Sequence, residues 1–479
     1  MVQATRPRSN PELVVGGNVD GLSMANNGAF GQVLAPPDDC VAFNGASNYG
    51  IQGVNLVVGG FDAGGLGAFL DLNDFFVDTE SLSDPSCFYD VIAGNWVFTV
   101  LAFNSNGTES HMDVELVFDQ GAGNKNNWLT LPFQIFRFDT TNPAGNSDCP
   151  CLPDQPFIAM TDGGTLWISD NEFGPLAGCI SGGACFLNGA DTYWITNLYV
   201  APTVNGIFNW FGSNIPDVCN PGGDSGPVST FRPMQAAVPD PNPRELFLTA
   251  WDPQGCGGNV IAALAIDTLG NVSSAFPQGQ NFFVPPSAQQ MGSGFVLQNN
   301  DDRLERVTLD SAGFVYSTLA SAVNLGEAVN RSGEAGWRLL PTWAGTTLTG
   351  LTIINQNLVG ILGPSGQGQY MLFMAMGVPD VGPNTDESLG TLSGSDFFPS
   401  TLAVEGLLGS CCNLSLPGAG VAPYSDSFTC PVAPGCRWGD YSGVAVVPGT
   451  PTIWFGGEYV SGASFAGVNW ATRVSQIQP

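Results

Sequence analysis

The sequence predicts an all-β protein folded as a single β-propeller. Three observations carry that expectation: a turn-rich yet apolar composition, a succession of short β-forming runs, and an imperfect internal repeat. Gly (63) and Pro (35) make up about a fifth of the 479 residues, well above ordinary usage. Hydrophobic residues still reach 43% and aromatics 11%. A chain of this kind buries a large core between frequent turns and is not disordered.

The runs come in order at residues 96–103, 165–169, 192–196, 246–251, 259–266, 314–317, 348–354, 370–375 and 452–455. Each is short, rich in β-branched and aromatic residues, and bounded by Gly, Pro, Asn or Asp, which is the signature of a strand. Residues 318–329 come nearest to helical spacing and are the one expected helix. No stretch of about 18 apolar residues is present, so no helix is expected to cross a membrane.

The runs recur as a unit: an acidic residue, a turn, an inner strand, a hairpin and a second strand. The period is roughly 60–70 residues. The unit begins at Ser83-Asp84-Pro85, at Asp154-Gln155-Pro156, at residues 300–303 and at residues 438–442. Such a unit cannot bury both faces alone, and stacking its copies radially gives a propeller. Seven blades are expected, with six or eight as alternatives. Residues 1–28 read as an irregular lead-in and 29–479 as one propeller domain, since no linker divides the chain. The segment after Phe455 is expected to return and pair with the first strands, closing the ring.

Charge narrows the partners. The formal net charge is -30 although charged residues are only 11%, because Lys and Arg together number 12. Lys125 is the sole lysine. An acidic surface repels nucleic acid and anionic membranes, which excludes both as partners. It attracts cations, and Ca²⁺ is the one its carboxylates suit.

The 12 cysteines cluster, and the only histidine is His111, so a zinc quartet is not expected. Disulfides are, and with them a secreted or cell-surface protein. Local pairs are expected at Cys179–Cys185 and Cys219–Cys256, with Cys411 and Cys412 bonded to Cys430 and Cys436. Cys40, Cys87, Cys149 and Cys151 complete the set. Sequons at Asn106, Asn271, Asn330 and Asn413 agree with secretion. Residues 1–8 lack the apolar core of a signal peptide, so secretion implies a processed chain.

A single histidine removes most nucleophilic triads. Gly223-Asp224-Ser225-Gly226 matches a serine-protease nucleophile motif, but nothing upstream supplies its histidine, and the segment reads as a tight turn. The Gly-rich segment 59–67 lacks the Lys-Ser/Thr of a phosphate loop. Carboxylates are the remaining chemistry. Under the repeat, Asp84, Asp154, Asp302 and Asp440 begin successive inner strands and ring one mouth of the channel. Such a ring holds Ca²⁺, works as acid and base on a glycoside, or caps its own turns. Arg303 and Arg437 flank two of its members, to bind anionic groups or to neutralise them. Trp96, Trp167, Trp438 and Tyr441 are expected to pack between blades.

The Pro36-Pro37-Asp38 segment, the Ser-Asp-Pro and Asp-Gln-Pro units and the terminal Arg437-Trp-Gly-Asp-Tyr-Ser442 segment together resemble the secreted sialidase-like (BNR-type) propellers. The resemblance implies the fold over nearly the whole chain. It does not imply the chemistry. The family's arginine triad is not placed here, and its repeat box survives only as a trace at Asp162, Gly164 and Trp167. The expected function is therefore an extracellular, non-enzymatic module that binds a glycan or protein. One alternative is a carbohydrate-active hydrolase or lyase using the channel-mouth carboxylates; another is a self-assembling surface or fibre subunit.

Overall fold

The structure is a computed structural model that describes the chain except residues 1, 6–13, 32–37, 144, 162–163, 211–229, 252–259, 278, 280–281, 300–302, 383–384, 410, 427–428, 431–434 and 479. Among the described residues it is built from strands, as expected. Four-stranded antiparallel meanders span residues 40–71, 81–139, 152–210 and 370–418. Residues 232–275 and 304–361 form two more such meanders, merged into one nine-stranded sheet. The merger has two causes. Arg232–Ala236 pairs in parallel with Leu304–Leu309, and Val2–Thr5 adds in parallel to the outer strand Thr347–Ile361.

The last sheet combines Gly443–Val446, Ile453–Phe465 and Val468–Gln478 with Val14–Ser23, antiparallel to Val468–Gln478. The expected return of the chain is thus present. The expected irregular lead-in is not: part of residues 1–28 is the strand that covers the outer edge of the last sheet. An uncovered edge presents unpaired N–H and C=O groups, which is why this segment is ordered into a strand.

The first strand of each meander lies innermost. Cys40–Asn44 contacts Ser81–Asp90, which contacts Leu152–Thr161, and the circuit continues through Arg232–Ala236, Leu304–Leu309, Tyr370–Gly377 and Gly443–Val446 back to Cys40–Asn44. The arrangement is propeller-like: an axis lined by first strands, with sheets stacked around it. Side-chain bonds lock the closure. Leu22 N–H donates to Gln52 Oε1 at 2.9 Å, Gln52 Nε2 donates to Thr472 Oγ1 at 2.9 Å, and Thr472 Oγ1 donates to the Leu22 carbonyl at 2.7 Å. One small cycle ties both ends of the chain to the first sheet.

Because sheets pack on both faces, strands such as Asn95–Phe103 are buried almost throughout. Their sequences are therefore continuous apolar runs rather than alternating ones. The core is divided among the gaps between sheets. Tyr49, Phe75, Trp96 and Trp128 fill the first gap, and Met112, Val114, Ile168 and Tyr193 fill the second. Trp96, Trp167, Trp438 and Tyr441 are all buried, as expected of packing aromatics. Residues 318–329 are not a helix. Val315–Val323 is a strand, since its Ala, Ser and Thr side chains suit the close gap against Tyr370–Gly377.

Disulfides join Cys40 to Cys87, Cys149 to Cys151, Cys179 to Cys185, Cys411 to Cys412, and Cys430 to Cys436. The expected Cys179–Cys185 bridge is present, and Cys219 and Cys256 lie outside the described residues. The expected exchange between Cys411, Cys412 and Cys430, Cys436 is corrected. Cys412 belongs to the core against Met371 and Leu402, whereas Cys430 and Cys436 sit with Tyr424 and Trp438 in another gap. Cys40–Cys87 links neighbouring inner strands across 47 residues. Replacing both by serine is expected to cost about 2–4 kcal/mol in denaturant unfolding. An unchanged midpoint would show that the bridge does not hold those strands together.

Candidate functional site

The first strands begin at one end of the axis, and there the carboxylates gather. Asp38 lies two residues before the strand Cys40–Asn44, Asp84 and Asp154 lie near the start of theirs, and Asp440 precedes Gly443–Val446. Three of the four expected ring members, Asp84, Asp154 and Asp440, influence one another electrostatically. Asp302 lies outside the described residues. Asp38, which the repeat did not single out, is the fourth carboxylate of the group.

The repeat was aligned one residue out of step. Both Ser81–Asp90 and Leu152–Thr161 contain a bulge, between Ser83 and Ser86 in one and Asp154 and Phe157 in the other. The left-handed residue of each bulge precedes a proline: Asp84 at φ 56° and Gln155 at φ 53°. Asp84 therefore corresponds to Gln155, and Asp154 to Ser83. The slip gives the two aspartates different surroundings.

Asp84 accepts hydrogen bonds from Ser83 Oγ at 2.6 Å and from the Gln155 backbone N–H at 3.0 Å. Its own N–H donates to Asn55 Oδ1 at 2.7 Å. Asp38 accepts from Asn55 Nδ2 at 3.0 Å and from the Asp440 backbone N–H at 2.7 Å. Asp440 accepts from the Arg437 guanidinium. Three of these six bonds run from one sheet to the next. The carboxylates are not merely capping their own turns.

Asp154 differs. Among the described residues no protein donor bonds to its carboxylate, which is half-buried and opens on a cleft. Burial, then Asp84 and Asp440, push its pKa up to about 8, against the pull of Arg303 and Arg437. Asp38 is also held well above the ordinary range, by burial first and then by Asp440 and Asp84. The cleft has a volume of about 820 Å³. Asp84, Asp154 and Arg437 line it, with Leu56, Leu82, Leu101, Phe103 and Leu152 as apolar wall.

Both flanking arginines are near the group, as expected. Arg303 donates to Gln155 Oε1 at 3.0 Å, and Arg232 donates to the same oxygen at 3.3 Å. Arg437 pairs with Asp440, whose charge raises the guanidinium pKa further, helped by Asp38, Asp154 and Asp84. The sequence reading missed Asp38, Asn55, Gln155 and two axial arginines, Arg232 and Arg306. Arg232 lies 3.3 Å over the Phe157 ring, and Arg306 lies 4.5 Å over the same ring.

The positive charges that act on these carboxylates are Arg437 and, at Asp154, also Arg303. His111 is on the strand Ser110–Phe118 and bonds at 2.8 Å to Asp78, which lines the same cleft as Asp84 and Asp154. The Gly223–Gly226 motif and Asp162 lie outside the described residues; Trp167 is core. Asn106, Asn271 and Asn330 are exposed and Asn413 is half-buried.

No family model matches the chain, and no curated protein matches it. Solved structures do match. A Penicillium chrysogenum α-L-arabinanase bound to arabinobiose is 10% identical over 83% of this chain and 93% of that one, with a TM-score of 0.39. A Fusarium graminearum α-L-arabinofuranosidase with an iminosugar inhibitor is 8% identical over 82% and 92%, at 0.40. The N-terminal domain of Nup159 is 9% identical over 100% and 98%, at 0.38. The sugar-acting neighbours are arabinan enzymes and not sialidases, which corrects the expected family. These sugar-acting neighbours are enzymes, unlike the expected non-enzymatic module, and their activity is stated of them alone. At these scores the likeness is one of fold, and the chemistry rests on the carboxylates.

Two outcomes are expected from the group's electrostatics. Burial raises Asp39 and Asp154 to about 8, Glu115 to about 9 and Glu387 to about 10. A carboxyl raised on folding stabilises fully below its unfolded pKa and loses that contribution as pH rises through the folded value. The melting temperature is expected to fall steadily from about pH 5 to about pH 10; a rise over that range would contradict the burial of these groups as acids. Below the ordinary carboxylate range the order reverses, because Asp78, Asp267 and Asp396 are lowered.

Arg437→Met is expected to cost about 1–3 kcal/mol, less than a fully buried pair because the guanidinium is half-exposed. Removing this charge leaves the carboxylates less neutralised, and the variant's melting temperature should respond more strongly to Ca²⁺ than the wild type's. A wild type stabilised equally by millimolar Ca²⁺ over chelator would contradict that neutralisation.

Proposed function

We propose that this protein is a secreted carbohydrate-active enzyme, a glycoside hydrolase of seven four-stranded blades, with Asp154 as general acid and Asp84 as the partner carboxylate. The observation that carries the reading is the contrast between them. Among the described residues Asp154 receives no protein hydrogen bond; its pKa is pushed up to about 8 and it lines the cleft. Asp84, on the neighbouring inner strand, is fixed by two donors and remains an acceptor. Glycoside hydrolysis needs this division: one carboxyl donates a proton to the leaving oxygen, and the other assists attack at the anomeric carbon.

The bond from Gln155 N–H to Asp84 ties the two roles together, because Gln155 follows Asp154 directly. Leu56, Phe103 and Leu152, the partly exposed members of the apolar wall, offer surface for the faces of sugar rings. Arg437 supports negative charge at the site without competing for the proton of Asp154. The seven blades are the seven meanders whose first strands close the axial circuit.

The test is release of new reducing ends, or of unsaturated sugars, from a polysaccharide panel that includes arabinan. Asp154→Asn and Asp84→Asn are each expected to lower kcat/KM about 10²- to 10⁴-fold while the protein stays folded. Activity should decline as pH rises through about 8, where Asp154 loses its proton. Full activity in Asp154→Asn, or no cleavage across the panel, would overturn the reading.

A further inference from the structure

The loop between the sheets 81–139 and 152–210 carries two cysteines separated by one residue, bonded to each other. Their surroundings are unequal. Cys149 is half-buried, whereas Cys151 is fully buried. Asn188 Nδ2 donates a hydrogen bond to Cys151 Sγ at 3.3 Å. A carboxylate oxygen of Glu172 lies within 4.8 Å of both sulfurs. Glu172 accepts from Asn146 at Oε1, and its Oε2 is buried without a protein partner.

The bond is not what holds the loop. Cys151 N–H donates to the Thr141 carbonyl at 2.9 Å, Leu176 N–H to the Pro150 carbonyl at 2.6 Å, and Ser110 Oγ to the Cys151 carbonyl at 2.7 Å. A crosslink between residues so close in sequence also removes little freedom from the unfolded chain. Cys40–Cys87 is the opposite case, long in span and buried at both sulfurs.

We propose that Cys149–Cys151 is a thiol–disulfide exchange site that takes low-molecular-weight dithiols. A thiolate of the reductant attacks Cys149 Sγ, the accessible sulfur. The Cys149–Cys151 bond breaks, a mixed disulfide forms on Cys149, and the electron pair leaves on Cys151 Sγ. The Asn188 amide, 3.3 Å from Cys151 Sγ, stabilises that thiolate. The second thiolate of the reductant then attacks the mixed disulfide, releasing Cys149 as a thiolate and the reductant as its cyclic disulfide. Leaving-group stabilisation and access to the attacked sulfur are the two factors that set such rates.

This inference stands apart from the glycosidase reading and is tested apart from it. Native protein is exposed to dithiothreitol, quenched with iodoacetamide at intervals, and mapped by peptide mass. Cys149 and Cys151 are expected to be alkylated about tenfold or more faster than Cys40 and Cys87. Asn188→Ala should slow their labelling, and Glu172→Gln, which removes the carboxylate within 4.8 Å of both sulfurs, should change its rate, with the melting temperature as the control for folding. Labelling of Cys149 and Cys151 no sooner than Cys40 and Cys87, or a rate indifferent to both substitutions in folded protein, would overturn the proposal.

Discussion

A ring of stacked sheets is stable only if its first and last members meet, and here that closure rests on Val14–Ser23 pairing with Val468–Gln478. The cycle of Leu22, Gln52 and Thr472 fixes the junction in side-chain detail. The functional group depends on the same junction. Asp38 belongs to the first sheet's approach and Asp440 to the last one's, and the hydrogen bond between them spans 402 residues. Gln52 also donates twice to Asp39, at 3.0 and 2.9 Å, so the closing cycle and the carboxylates share a residue. Closure and site are one construction.

Within that construction, charge is spent against the trend of the whole chain. Lys and Arg number 12, yet Arg232, Arg303, Arg306 and Arg437 all gather at the axis. Carboxylates brought together in a region of low dielectric repel, and burial penalises each ion separately. Two remedies operate side by side. Arg437 neutralises Asp440, and Asp154 and Asp38 are pushed toward their protonated forms. Burial works against the arginines too, lowering Arg232 to about 9. The result is a mixture of charged and neutral groups that a uniformly ionised ring would not give.

Much of the fold was legible because its strands are buried on both faces. The run at 96–103 stands out in sequence since no solvent-facing position interrupts it. The misread segment, 318–329, failed for the converse reason: its small side chains suit a narrow gap between sheets, and small residues carry no strong strand signal. The site was legible in part. Asp84, Asp154 and Asp440 could be found because turn residues surround them, but their alignment followed residue type. What fixes equivalence is the backbone, where Asp84 and Gln155 share the left-handed bulge. Asp38 has no repeat signal at all, since its partner Asp440 is close only after the ring has closed. The same limit applied to the disulfides: bridges across a short loop were readable, while the partners of Cys40 and Cys412 depended on which gap between sheets each side chain enters.

The seam between first and last sheets also sets an order in time. Contacts between residues far apart in sequence close large loops, and their entropic cost falls before any reward is collected. During synthesis the strand Val14–Ser23 leaves the ribosome early and waits unpaired until Val468–Gln478 has emerged. Asp84 and Asp154 sit on adjacent inner strands and are joined through Gln155, whereas Asp38 and Asp440 meet only across the closed seam. The seam that joins Asp38 to Asp440 is therefore the last part of the carboxylate group to form.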